Sequence, residues 1–227
     1  MIITSKPGRG EKVHVFLDGA YTITTTVDYW YKQNISNGSE ISPEEFQTLR
    51  EGIEQNRMYN KALDLISSRD YSVKELREKL VTKSLEKAKK KTYEVGEEDT
   101  ADRYFERPDL NFLKEQAQEV CDRLLELHLL DDERYARNYA AELYRNKHLS
   151  SAAILSKLSL KGIDRNVASL VIEEMELDSK GSIRYLLSTK FRTRDLSDDK
   201  QKRRTVAALE RMGYSAGDIF SVINENF

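Results

Sequence analysis

The sequence predicts a mainly α protein: an elongated array of three tandem three-helix repeats behind a small N-terminal extension that contains a β-hairpin. Three observations carry that expectation. Strand-like alternation is confined to the start of the chain. From Pro43 onward apolar residues recur at helical spacing. Residues 154–172 align without a gap on residues 205–223, and a period of this size marks a repeat architecture.

In EKVHVFLDGAYTITT, Val13, Val15 and Leu17 alternate with other residues, and Tyr21 and Ile23 do so again after Asp18-Gly19. Asp-Gly between two alternating runs predicts a hairpin, because a type I′ turn needs positive φ at both central positions. Residues 2–5 are expected to add a third strand, and VDYWYKQN a short helix whose Tyr29, Trp30 and Tyr31 seal the hairpin against the first helices. Ser42-Pro43-Glu44-Glu45 announces the next helix: a capping serine, a proline in the first turn, and a glutamate that completes the capping box. No further strand is expected. Helical stripes follow at Ala117, Val120, Cys121, Leu124 and His128, at Tyr135, Tyr139 and Leu143, and at Val167, Val171 and Met175.

The two aligned segments match where mechanics demands it. Leu158 matches Leu209 and Gly162 matches Gly213. Each glycine sits where a helix ends in a left-handed residue. Two residues later Asp164 and Ser215 are placed to cap the next helix. An earlier copy aligns Ser72 with Ser150, both opening a helix, Leu80 with Leu158 and Lys83-Ser84-Leu85 with Lys161-Gly162-Ile163. Beyond Glu86 that alignment breaks and returns near Val120, so the first repeat carries an insertion near 87–112, expected to be a mostly disordered surface excursion. The predicted organisation is an extension over 1–57 and repeats over 58–130, 131–178 and 179–227. Stacked repeats offer a long face, suited to an extended partner.

Composition narrows the function classes. The 227 residues are 33% charged and 39% hydrophobic, with 10 Gly, 3 Pro and a net charge of −2. Such a chain attracts no polyanion by bulk charge, only by local basic stretches. The single cysteine, Cys121, suits a reducing compartment and falls on an apolar helical face. No apolar run of signal-peptide or membrane-span length is present, so a cytoplasmic protein is expected. His14, His128 and His148 lack the spacing of a zinc site. No GxxxxGK[ST] loop is present to hold ATP.

LLDDERYARNY, residues 129–139, places Asp131, Asp132 and Glu133 together. Successive residues diverge around a helix, so three in a row do not face one ion. They read as a helix start, with Asp131 as cap and the next two acids in a first turn whose dipole favours them. Leu129 and Leu130 then close the first repeat. Tyr135, Tyr139 and Tyr144 have the spacing of residues that pack between repeats, with base stacking as the other role. KFRTRDLSDDKQKRR gathers Lys190, Arg192, Arg194, Lys200, Lys202, Arg203 and Arg204 in a span suited either to phosphates or an acidic protein groove, or simply to solvent. Lys87, Lys89, Lys90 and Lys91 form a second basic group, offset by Glu94, Glu97, Glu98 and Asp99.

The segments VCDRLLELHLLDDERYARNYAAELYRNK and ILSKLSLKGIDRNVASLVIEE resemble the RecX family of recombinase regulators, as do ALDLISSRDYSVKELREKL and LERMGYSAGDIFSVI. The N-terminal VFLDGAYTITTTVDYWYKQNISNG is similar to the hairpin extension of many Gram-positive members. The resemblance covers nearly the whole chain, with LLDDERYA and KLSLKGI as its most specific pieces. The sequence departs from the family at Ser84 and His128, where glycine is usual, at Ser151-Ala152-Ala153, where basic residues are common, and in the insertion after Glu86. The resemblance implies a non-enzymatic monomer without cofactor or metal. It would bind the groove of the RecA–single-stranded DNA filament and mainly inhibit its growth, ATP hydrolysis and recombination activity. Arg134, Arg137, Arg145, Lys157, Lys161, Arg192, Arg194, Arg203 and Arg204, on the middle and last repeats, are the expected contacts to acidic protein surface or phosphate. The alternative is a helical-repeat protein that binds DNA, single strands included, without RecA. The pI near 6.0 and the absence of a sustained basic recognition helix weigh against it.

Overall fold

A computed structural model of the chain describes residues 1–94 and 109–226, with side chains described within 1–86 and 109–225. The chain packs as two compact units, one of Met1–Asp70 with Leu76–Leu130 and one of Tyr71–Glu75 with Asp131–Phe227.

The first unit opens with an antiparallel sheet of β1 (Ile2–Pro7), β2 (Lys12–Leu17), β3 (Ala20–Thr26) and β4 (Ser39–Glu40), in the order β3-β2-β1-β4. Asp18 and Gly19, at φ 47° and 82°, give the hairpin the left-handed pair that its turn requires. Alternation buries Ile3, Val13, Val15, Leu17 and Ile23 on one face, against Trp30, Phe46, Leu49 and Ile53. β4 was not expected. It is two residues long and is held by backbone bonds from distant partners, Gly38 N–H to Ile3 O at 2.8 Å and Ile41 N–H to Met1 O at 2.8 Å. Helix α1 (Val27–Lys32) is capped by Thr26 and buries Trp30. Tyr31, expected in the seal, is 73% exposed.

Helix α2 (Pro43–Ser68) starts with the full capping box of Ser42 and Glu45 and passes residues 57–58 without a break. It also covers the outer edge of β3. The Arg57 guanidinium donates to Thr24 O, and Asn56 Nδ2 donates to Thr26 Oγ1 at 3.4 Å. An edge with its carbonyl occupied is a poor template for a foreign strand. Helix α3 spans Val73–Glu94 and α4 spans Leu110–Glu126. Where the later repeats have a left-handed glycine, α3 has Ser84 and continues for ten residues, so the predicted excursion begins as helix. Its stretch over 95–108 lies outside the described residues. On α4, Leu113, Ala117, Val120, Cys121 and Leu124 are buried. His128, read as part of that stripe, is instead exposed at φ 54° just past the helix end. Leu130 is buried, whereas Leu129 is 43% exposed.

The second unit contains α5 (Asp132–Lys147), α6 (Ser151–Leu160), α7 (Arg165–Glu174), α8 (Ser179–Ser188), α9 (Asp199–Arg211) and α10 (Ala216–Asn226). Tyr135, Leu143, Ile154, Leu158 and Val171 lie in one core cluster. Ile183, Leu186, Leu209, Ile219 and Val222 lie in another, and Leu149 packs against both. Gly162 and Gly213 have φ 80° and 88°. Ser150, Asp164 and Ser215 accept the first-turn N–H bonds predicted for them. Among the described residues no helix is long and apolar enough to cross a membrane.

Candidate interaction surface

At the start of α5 the three acids have three separate tasks. Asp131 caps the helix, accepting from Arg134 N–H at 2.9 Å. Asp132 turns away and accepts from Val73 N–H at 2.8 Å, so it caps the start of α3 across 59 positions of sequence. Glu133 accepts from Arg137 at 2.7 Å, and Arg137 also pairs with Glu174 on α7. Among the described residues no three His, Cys, Asp or Glu side chains gather as metal ligands would.

Burial raises the Asp132 carboxyl above the ordinary aspartate value of 3.8; the Val73 N–H opposes this and the neighbouring Asp131 charge adds to it. The native chain therefore holds this proton more tightly than the unfolded chain. The carboxyl's contribution to stability is most favourable when protonated and declines as pH rises through the window just above 3.8. Asp132→Asn keeps the acceptor for Val73 and removes the charge. Its stability relative to wild type is expected to grow as pH is raised through that window and then level off. Urea unfolding at a series of pH values checks this, and a pH-independent difference would sink it.

The start of α3 is tied to the end of α6. Ser72 Oγ donates to Lys161 O at 2.7 Å, and Lys74 Nζ donates to Leu160 O at 3.2 Å. Lys161 Nζ pairs with Glu75, whose other oxygen accepts from Tyr135 OH at 2.9 Å. Gly162 lies directly on Lys74: a Cβ there would stand 2.7 Å from Lys74 Cβ. The device recurs one repeat later. Ser150 N–H donates to Met212 O at 3.1 Å, and a Cβ on Gly213 would stand 2.4 Å from Ser150 Oγ. Each glycine turn thus sits on the first residues of the second helix in the preceding repeat. The tyrosines serve the same packing. Tyr135 stacks on Tyr139 at 5.6 Å, and Ser182 Oγ donates to Tyr144 OH at 3.2 Å.

These contacts sort the predicted cations. Arg137 and Lys161 are engaged internally by Glu133, Glu174 and Glu75. The hydrogen bonds to Glu174 and then Glu133 raise the already high Arg137 pKa. Arg194 is half-buried, its guanidinium 4.5 Å from the Phe191 ring centroid and 3.2 Å from Thr205 Oγ1. Lys157 is half-buried on α6, and Arg134 is exposed at the start of α5. Arg145, Arg192, Arg203 and Arg204 are exposed and find no side-chain partner among the described residues. Arg134 and Arg145 stand eleven positions apart, about three helical turns, and so share a side of α5.

Helix α9 adds a residue that sequence reading missed. Thr205 and Leu209 define its buried side. At about 100° per residue, Lys200, Arg203, Arg204 and Arg211 then fall on the opposite side, and all four are exposed. The signal lay in the phase of Leu209 and Met212, not in the local density of charge, and it extends the basic stripe by Arg211. Lys87, Lys89, Lys90 and Lys91 lie beyond the residues whose side chains are described.

Comparison with known proteins agrees with the repeat architecture. Residues 59–87 match the first three-helix domain of RecX and residues 131–172 the second. A regulatory protein RecX of Clostridium perfringens is 30% identical over 196 residues, which cover 79% of this chain and 80% of its own length. One of Streptomyces coelicolor is 28% identical over 114 residues, 49% of this chain, and the chain spans 61% of that relative's length. A crystal structure of regulatory protein RecX shares the fold, with a TM-score of 0.63 at 16% identity over 99% of this chain and 98% of its own. Two matched RecX domains and extended identity with the Clostridium protein have one explanation: the chain belongs to the RecX family.

Proposed function

We propose that the chain is a non-enzymatic regulator that binds the RecA–single-stranded DNA filament in the cytoplasm and mainly inhibits its growth, ATP hydrolysis and recombination activity. Family membership carries the reading. The second unit supports it chemically. Its cations divide into a set spent on internal pairs and a set turned outward, led by Arg145, Arg192, Arg203 and Arg204. Outward arginines without internal partners suit carboxylates of a protein groove or phosphates of a bound strand, because the planar guanidinium matches both. The work is binding, so no residue is assigned a catalytic role.

The direct test is the DNA-dependent ATPase of RecA. Adding the protein at stoichiometric amounts is expected to lower the steady-state rate. An unchanged rate would overturn the reading. A gel shift without RecA, carried through rising salt, separates the alternative: tight binding with a steep salt slope that is lost when Arg145, Arg203 and Arg204 are reversed would assign the surface to DNA alone. Deleting residues 179–227 is a poor probe of the contact, since it removes Met212 and Gly213 from the start of α6. Point substitutions on the outward side are the informative ones.

A further inference from the structure

The sheet of the first unit has two faces, and only one is explained by packing. Its inner face is apolar core. Its outer face carries Thr4 and Lys6 from β1, Lys12, His14 and Phe16 from β2, and Tyr21 and Thr24 from β3, as the pairings Thr4↔Phe16, Lys6↔His14, His14↔Thr24 and Phe16↔Tyr21 require. Tyr21 is 44% exposed, Lys6 and Lys12 are exposed, and Phe16 and His14 are half-buried. A core sheet facing water usually presents small polar residues there. This one presents three rings in a row.

The rings are held in place. Phe16 and Tyr21 meet edge to face with centroids 5.9 Å apart, and His14 and Tyr21 do so at 6.0 Å. Thr24 Oγ1 bonds both His14 Nδ1, at 2.7 Å, and Tyr21 OH, at 3.0 Å. Gly8 leaves room for the imidazole, since a Cβ there would stand 2.7 Å from His14 Nε2. β1, β2 and β3 turn two charged side chains to this face, both lysines, with the acidic Glu40 of β4 opposite Ile2 at the far edge, and Lys6 Nζ lies 5.0 Å from the Phe16 centroid.

Ordered aromatic rings on an open sheet, flanked by cations, are what unpaired bases and their phosphates require: the rings stack and the lysines neutralise the backbone. An acidic peptide would use the lysines and leave the rings without a purpose. We propose that the outer face of β1, β2 and β3 is a binding platform for single-stranded nucleic acid, with Phe16 and Tyr21 as stacking residues and Lys6 and Lys12 as phosphate contacts. This platform is separate from the arginines of the second unit and does not rest on the recombinase reading.

The test uses the full chain without RecA and fluorescence anisotropy with labelled oligo(dT), oligo(U), a duplex of equal length and poly-glutamate as competitor. Wild type is expected to bind a single strand more tightly than the duplex, and the two oligonucleotide arms decide between DNA and RNA as the better ligand. Phe16→Ala with Tyr21→Ala is expected to weaken single-strand binding at least tenfold, while Phe16→Tyr with Tyr21→Phe retains it. Lys6→Ala with Lys12→Ala leaves the rings in place. It is expected to reduce the slope of log affinity against log salt by about 1.4, since each single-strand phosphate contact contributes about 0.7. This pair tests the platform should the alanine ring variants fail to fold by circular dichroism. No binding by wild type, equal affinity for duplex, displacement by poly-glutamate at equal charge, or an unaltered affinity of the folded ring variant would each overturn the proposal.

Discussion

Gly213→Ala is expected to destabilise the second compact unit by about 2–4 kcal/mol, the sum of a left-handed backbone cost of about 1–2 kcal/mol and an overpacking cost of about 1–3 kcal/mol, less a small gain from a stiffer unfolded chain. Gly213 has φ 88°. A Cβ there would stand 2.4 Å from Ser150 Oγ, 2.8 Å from Ala153 Cβ and 3.0 Å from Ala153 N. The last of these is backbone in the first turn of α6 and cannot swing aside. The first is the capping oxygen that accepts from Ala153 N–H. The methyl group thus strains one helix end and dislodges the cap of another.

Two comparisons isolate the parts. Gly162 has the same backbone, at φ 80°, but the three atoms nearest its Cβ all belong to the Lys74 side chain and none is backbone, so Gly162→Ala is expected to cost less. Gly10 is left-handed at φ 67° with nothing within 4 Å, so Gly10→Ala reports the backbone cost alone. Urea unfolding followed by circular dichroism should rank the three Gly213, Gly162, Gly10 in decreasing cost. Equal losses at all three would show that contact with the preceding repeat contributes nothing.

That ranking also shows where the sequence is informative. Features set by adjacent residues are legible in it: the Asp18-Gly19 turn, the Ser42–Glu45 box, the caps at Ser150 and Asp164, the glycine stops. Each is decided within a few positions by φ or by one hydrogen bond. Features set by distant partners are not. Nothing near Asp132 says that it will cap α3 at Val73, and nothing near Glu75 says that Lys161 will pair with it 86 positions away. β4 is invisible for the same reason. His128 misled in another way, and His148 shares its geometry. Both take the left-handed position after a helix, at φ 54° and 47°, where glycine is the usual signal. Histidine is tolerated there more than most residues, so a helix ended without its customary mark. The candidate surface shows the same division. Charge is legible from composition, but whether Arg137 faces solvent or Glu174 is a tertiary fact.

Arg145→Glu, Arg203→Glu and Arg204→Glu in combination are expected to weaken binding to the RecA–single-stranded DNA filament at least tenfold, with little change in the urea midpoint. All three are exposed and find no side-chain partner among the described residues. Substitutions of that kind usually alter stability by less than about 0.5 kcal/mol. At an acidic interface the same changes replace attraction by repulsion, which slows association and turns its salt dependence toward the opposite sense. Arg194→Ala is the contrasting variant. Arg194 packs on Phe191 and bonds Thr205, so its loss is expected to lower the urea midpoint while the folded protein still binds. Cosedimentation with preformed filaments measures the first effect and urea unfolding the second. The opposite pattern, with the triple variant bound and the Arg194 variant released, would place the contact on the structural cations. If both variants bind as wild type does while RecA ATPase is still lowered, regulation stands and the arginines of α5 and α9 are not its contact.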